Sequence, residues 1–196
     1  MSARRLFSNT LPALAVAALA LLAAECAPGK RADAPRASGG VLDLRGWNFD
    51  EGPVALAGEW EFARGRFVDP EGAFGDGAAA GAFLPREVPD RWRDDDAGGV
   101  EGRGGGTYRL LVRVRPGVGA LALRFTTIAT AFEVYADGEL LASGGRPALA
   151  ASSAVAGYRP AAVELPAADD GRIELVVRIS NHEYREGGMW QIGRAH

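Results

Sequence analysis

The densest gathering of chemically versatile side chains runs from Ser180 to Trp190, SNHEYREGGMW. Asn181, His182, Tyr184, Arg185 and Trp190 combine hydrogen-bonding groups with aromatic surface, the mixture that carbohydrate and polar-ligand sites use. Arg185, and Arg146 from a separate loop, carry planar guanidinium groups that fork onto a carboxylate or onto sugar hydroxyls. Tyr184 or Trp190 would supply a stacking face. Trp47, at the end of a strand pattern, is a further stacking candidate. A structural reading competes for the same residues: Asn181 and His182 tie down a corner, Trp190 plugs the core and Trp47 packs. Both readings stand at this point. The ligand expected is small and polar, a carbohydrate or an organic acid.

Other chemistries find little support. The histidines are His182 and His196, and Cys26 is the single cysteine. That leaves no metal cluster and no intrachain disulfide. No Gly-x-Ser-x-Gly elbow occurs, and no histidine with a partnered cysteine suggests a nucleophile. Asp94, Asp95 and Asp96 lack the alternating spacing of a calcium loop. Gly104–Gly106 opens onto a strand with no Gly-Lys-Ser/Thr after it, so it is no phosphate cradle. Nothing singles out a carboxylate pair for glycoside hydrolysis. The expectation is a non-enzymatic domain without cofactor or metal. A net charge of −3 without a basic patch gives no reason to expect nucleic acid.

The elements that must position these residues read as strands. Leu121, Leu123 and Phe125 alternate with Ala122 and Arg124. Phe132, Val134 and Ala136 alternate with Glu133, Tyr135 and Asp137. A period of two places one set inward and the other outward. Asp137-Gly138 between two such runs signals a two-residue hairpin turn, which needs positive φ at both centres. Thr107–Arg115 and Arg172–Ser180 are the clearest strands. Tyr108, Leu110, Val112 and Val114 face inward on the first, and Ile173, Leu175, Val177 and Ile179 on the second. Shorter extended pieces are read at 41–45, 54–56, 58–62, 83–88 and 158–165. Trp60 and Phe62 share a face and are expected in the core. The expected fold is all-β: an antiparallel jelly-roll β-sandwich of about eight strands. The Ser180–Trp190 stretch would then emerge at one rim, with the Trp47 turn and the Arg146–Tyr158 loop as candidates for the same rim.

The ends read differently. Residues 1–28 have the form of a leader, with Arg4 and Arg5 ahead of an apolar run from Leu11 to Ala24. That run is short of the roughly 20 residues a bilayer span needs and suits a signal peptide. Two main endings stay open: cleavage at Ala24-Glu25-Cys26, or lipidation of Cys26 as the first mature residue. An uncleaved anchor is the third option. All place the following domain outside the cytoplasm. Residues 29–40, GKRADAPRASGG, read as a disordered linker. Residues 191–196, QIGRAH, continue no pattern and match one frame of a sequencing adapter. The expectation is a truncated reading frame whose tail has no role in the domain, leaving 41–190 as the folded unit.

Several pieces, in order, resemble a known family: LDLRGWNFDEGPVALAGEWEF, VPDRW, GTYRLLVRV, the Ala120–Gly145 stretch, GYRPAAVELP and ELVVRISNHEYREGGMW. They are similar to the amino-terminal extracytoplasmic domain of bacterial receptors with seven transmembrane helices and diverse intracellular signalling modules. Where that family often has Asn-Gly at the hairpin, Asp137-Gly138 keeps the turn chemistry. The resemblance implies a galactose-binding-like jelly roll, related to the sugar-binding domain at the front of family 2 glycoside hydrolases. It further implies a ligand-sensing role, with the receptor's own transmembrane region as a partner and a histidine kinase or a nucleotide or diguanylate cyclase as output. It carries no residue-level ligand site. The other classes kept open are a non-catalytic carbohydrate-binding module, free or on a hydrolase, and a lipoprotein that binds a partner.

Overall fold

The two longest strands lie side by side. β5 (Gly104–Arg113) and β11 (Arg172–Asn181) pair antiparallel over their whole length, with Leu110 opposite Leu175 and Tyr108 opposite Val177. β8 (Ala131–Ala136) flanks β11 on its other side, setting Val134 against Val177 and Phe132 against Ile179. Tyr108, Leu110, Val112, Phe132, Val134, Leu175, Val177 and Ile179 are all buried, as their alternation requires. β8 turns into β9 (Glu139–Gly144) through Asp137 at φ 49° and Gly138 at φ 85°, with Ala136 paired to Glu139. Both turn centres therefore have the positive φ that the Asp-Gly pair foretells.

The computed structural model describes residues 34–75, 83–92, 102–191 and 194–195. The leader with Cys26, the first part of the linker and the Asp94–Asp96 loop lie outside those residues. β1 (Val41–Asp43), β2 (Val54–Ala55), β3 (Gly58–Arg64) and β4 (Leu84–Val88) precede β5. β6 (Ala122–Phe125) and β7 (Thr127–Ala129) precede β8, and β10 (Ala161–Glu164) precedes β11. β12 (Gly188–Gln191) and β13 (Arg194–Ala195) follow. The larger sheet has the order β4-β3-β5-β11-β8-β9, with β1 added parallel to β5. A second sheet runs β10-β6-β13-β2, and β12 pairs with β7 separately. Leu123, Phe125, Val54, Ile128 and Met189 from these smaller sheets join the same buried cluster as Tyr108 and Val177. The core is thus the space between two layers, as a sandwich requires. Trp60 sits fully inside it, its Nε1 donating to the Leu56 carbonyl at 2.9 Å. Among the described residues the helical pieces are the 3-10 turns Phe49–Glu51 and Ala151–Ser153. No helix there is long and apolar enough to cross a membrane.

Three expectations are corrected. The strands number thirteen among the described residues rather than about eight. β7, β12 and β13 are too short to show a period, and tertiary pairing alone makes them strands. The linker expected over 29–40 is part of the fold from Arg36 onward. Ala37 is buried, its N–H donates to Ala57 and its carbonyl accepts from Glu59, while Arg36 pairs with Glu87. The tail expected to have no role contributes as well: Gln191 ends β12, and Arg194–Ala195 pairs with both β2 and β6. The reason is common to both ends. Ladder hydrogen bonds are made by backbone, so a Gly/Ala-rich or patternless segment completes a sheet as well as any other.

The outer face of the larger sheet is covered by residues 66–75. The Arg178 guanidinium donates to the Val68 carbonyl through Nε at 3.1 Å and Nη2 at 2.8 Å. Arg109 makes a two-pronged pair with Glu61 at 2.7 and 3.1 Å, donates to the Ala73 carbonyl and lies 3.9 Å from the Phe83 ring centroid. Thr107 accepts from the Val68 N–H and donates to the Arg66 carbonyl. Thr107, Arg109 and Arg178, outward residues on β5 and β11, thus clasp a loop and do not line the rim.

Candidate functional site

β11 ends at Asn181, and this residue decides where the chain goes next. Its side chain is buried, and both ends of the amide are engaged. Nδ2 donates to the Tyr184 carbonyl at 2.8 Å and to the Gly102 carbonyl at 3.0 Å, while Oδ1 accepts from the Tyr184 N–H at 3.1 Å. An Asx-type side chain bonded to backbone a few residues on substitutes for a backbone turn. The turn throws Tyr184 and Arg185 outward, and Tyr184 is 57% exposed.

The chain is then caught again by the VPDRW segment. The Trp92 N–H donates to the Gly187 carbonyl at 3.0 Å, and Asp90 exchanges hydrogen bonds with Met189. A Cβ on Gly187 would stand 2.7 Å from Cε3 of the buried Trp92, so only glycine passes. β12 then runs antiparallel to β7 and brings Trp190 beside Tyr184 and Arg185 in one cleft wall. The indole Nε1 of Trp190 donates to the Gly187 carbonyl at 2.8 Å, which fixes the ring. Arg91 lies over that ring at 5.2 Å and pairs with Glu186 at 3.0 Å.

The result is an open cleft of about 620 Å³, lined by Thr127, Ala129, Tyr158, Tyr184, Arg185, Glu186 and Trp190. Its walls come from β7, the stretch before β10, the turn after β11, and β12. Tyr158 is 62% exposed yet anchored, its hydroxyl donating to the Thr126 carbonyl at 3.1 Å. Ala129 and the aromatic rings give the cleft apolar walls. The Arg185 guanidinium has no hydrogen-bond or ion-pair partner among the described residues. Such a surface can stack a ring and place a charge-assisted hydrogen bond at its edge.

Beneath it lies a buried polar chain. Trp92 Nε1 donates to the Tyr108 hydroxyl at 2.7 Å, which donates to Asp90 Oδ2 at 2.6 Å. Arg86 Nε donates to the same oxygen at 2.7 Å. Burial raises the Asp90 carboxyl above its ordinary value, against the pull of Tyr108, Arg86 and the Met189 N–H. Burial likewise pushes the Tyr108 phenol well up. The network supports the strand that carries Trp190, and no part of it lines the cleft.

The sequence-derived candidates divide cleanly. Tyr184, Arg185 and Trp190 come together in the cleft. Asn181 is inside the turn, and His182 Nε2 is 2.9 Å from the Ala148 carbonyl, so both act as corner ties. Arg146 donates through Nε to the Ser153 carbonyl within its own loop. Trp47 packs against the core and donates to the Gly52 carbonyl at 3.2 Å. None of these four lines the cleft, and the fork of Arg146 with Arg185 is not formed. Tyr158, Thr127, Ala129 and Glu186 are the lining residues that sequence reasoning missed as site residues. Tyr158 belongs to a loop expected near this rim, but nothing in its spacing marks it as a wall. Cys26 lies outside the described residues. No group of three or more metal-ligating side chains occurs among the described residues.

No family model matches the chain, and no curated protein matches it. Solved structures do. The β-glucuronidase of Faecalibacterium prausnitzii matches with a TM-score of 0.54 at 16% identity, over 73% of this chain and 31% of that one. The β-glucuronidase of Parabacteroides merdae matches with a TM-score of 0.54 at 18% identity, over 74% and 21%. That of Ruminococcus gnavus gives 0.52 at 17% identity, over 73% and 28%. The fold is therefore the galactose-binding-like jelly roll found in these glycosidases. The chain spans less than a third of the length of each of these three enzymes.

Proposed function

We propose that this chain is the extracytoplasmic ligand-sensing domain of a membrane-bound bacterial receptor, and that the rim cleft receives the ligand. The observation that carries this reading is the cleft itself, where Tyr158, Tyr184 and Trp190 stand with an Arg185 that has no partner among the described residues. Aromatic rings left facing water, two of them pinned by their own hydrogen bonds, add nothing to the core and are pre-organised for a partner. The leader-like 1–28 segment and the ordered resemblance to receptor domains support the extracytoplasmic and signalling parts. In this reading the domain binds and does not catalyse. Its partners are a small polar ligand, carbohydrate or organic acid, and the receptor's own transmembrane region.

A carbohydrate-binding module at the front of a hydrolase is the competing reading, favoured by the likeness to glycosidase domains. The gene downstream separates the two. The receptor reading expects several apolar segments of about 20 residues each, followed by a cytoplasmic output. Introduced into that full-length protein, Arg185→Ala and Trp190→Ala should abolish the response to ligand at unchanged expression. A hydrolase barrel downstream would replace the receptor reading with the module reading, and a stop codon would favour the lipoprotein.

A further inference from the structure

Resting on the cleft as the ligand site, we infer that it selects a ring-shaped ligand bearing a carboxylate over the uncharged counterpart. Arg185 and Glu186 are the charged residues among those lining the cleft. The two are not equivalent. The Glu186 carboxylate is held at 3.0 Å by Arg91, which also covers the Trp190 ring. Its negative charge is thus answered by a residue outside the lining. Arg185 is exposed and answered by nothing among the described residues. Among the described residues the cleft therefore presents one positive charge without a counter-charge, beside apolar walls. A neutral ring gains the stacking surface but leaves Arg185 as it was. A ring with a carboxylate gains the same surface and a two-pronged, charge-assisted contact with a planar guanidinium. A cationic ring meets repulsion. The fixed Tyr158 and Trp190 rings hold the apolar body, so the charge at its edge reads the substituent.

Arg91 acquires a role from this arrangement. It is a positioning residue, since it touches the two wall residues Glu186 and Trp190 and does not line the cleft. Removing it would take away the ion pair that answers the Glu186 carboxylate, leave more negative charge in the cleft wall, and shrink the preference for an anion.

The test is calorimetric titration of the full chain with matched pairs: glucuronate against glucose, and benzoate against benzamide. The carboxylate of at least one pair should bind about tenfold tighter than its neutral partner, the worth of one charge-assisted contact. Raising the salt concentration should narrow that gap. Arg185→Gln should bring the two partners level without shifting the melting temperature, Arg185→Lys should keep part of the preference, and Arg91→Ala should reduce it. Equal binding of both partners, unaffected by Arg185→Gln, would overturn the anion preference while leaving the cleft as the ligand site. Failure of every compound to bind wild type would overturn both the preference and the reading it rests on.

Discussion

Asp90 shows how far a single buried group shapes the rim. Its carboxylate collects Tyr108, Arg86 and the Met189 N–H, and so ties the core to the strand bearing Trp190. Because burial raises its pKa, the folded protein binds a proton at Asp90 more readily than the unfolded chain does. That contribution to stability is fully present below the ordinary value of 3.8 and is lost as pH rises through the raised folded value. Asp90→Asn removes the titration and leaves donors poorly matched, at a cost of about 1–3 kcal/mol. Urea melts of both proteins across the acid range should show the stability gap narrowing as pH rises above 3.8. A gap that widens instead would show that Asp90 acts chiefly as the charged partner of Arg86. At this scale the sequence was only partly legible. Tyr184, Arg185 and Trp190 stood out because their stretch is dense in polar and aromatic types. Asn181 and His182 stood out for the same reason, yet they face inward, because composition cannot show which way a turn points its side chains. Tyr158 and Asp90 carried no local signal at all, since their partners lie far off in sequence.

Strands carry most of what the sequence could say. The alternation on β5, β8 and β11 and the Asp137-Gly138 turn were readable because they depend on near neighbours and a period of two. The triple glycine was not. Gly104, Gly105 and Gly106 begin β5, and a Cβ at Gly106 would lie 2.4 Å from the ring of Phe62. That ring is stacked on Tyr108 at 4.3 Å and packed against Trp92 at 5.6 Å, so it has nowhere to move. The glycine therefore serves aromatic packing between two strands, which only tertiary structure reveals. Gly106→Ala should cost at least the roughly 1–3 kcal/mol of an overpacked core, read as a lowered denaturation midpoint. An unchanged midpoint would mean that the Phe62 stack yields more easily than its neighbours suggest. The clasping arginines carry no sequence signal either: Arg109 and Arg178 sit at outward positions, and a covering loop makes them half-buried.

At the largest scale the described residues form a two-layer sandwich whose sheets are completed by segments without sequence pattern. Residues 36–40 and β13 both complete sheets through backbone hydrogen bonds. A chain starting at Val41 would lose the Ala37 contacts with Ala57 and Glu59 and expose the start of β3. Its melting temperature should fall by a few degrees, on the scale of about 2–4 °C per kcal/mol for a domain of this size. No change would restore the reading of this stretch as a free linker. The layered architecture was legible as a whole because alternation fixes which faces must meet. Where the layers open at the rim, and which loops converge there, was not.

That convergence is the central claim, and chemical-shift mapping tests it most directly. Labelled protein would be titrated with the sugars and organic acids to which the cleft is expected to respond. Perturbed amides should cluster at Thr127, Ala129, Tyr158, Tyr184, Arg185, Glu186 and Trp190, with Trp47 and Arg146 unmoved. Two other surface hollows serve as internal controls, one bordered by Leu140 and Arg159 and the other by Phe49 and Arg115. Shifts centred on either hollow, or on Trp47 and Arg146, would contradict the assignment of the rim cleft as the ligand site.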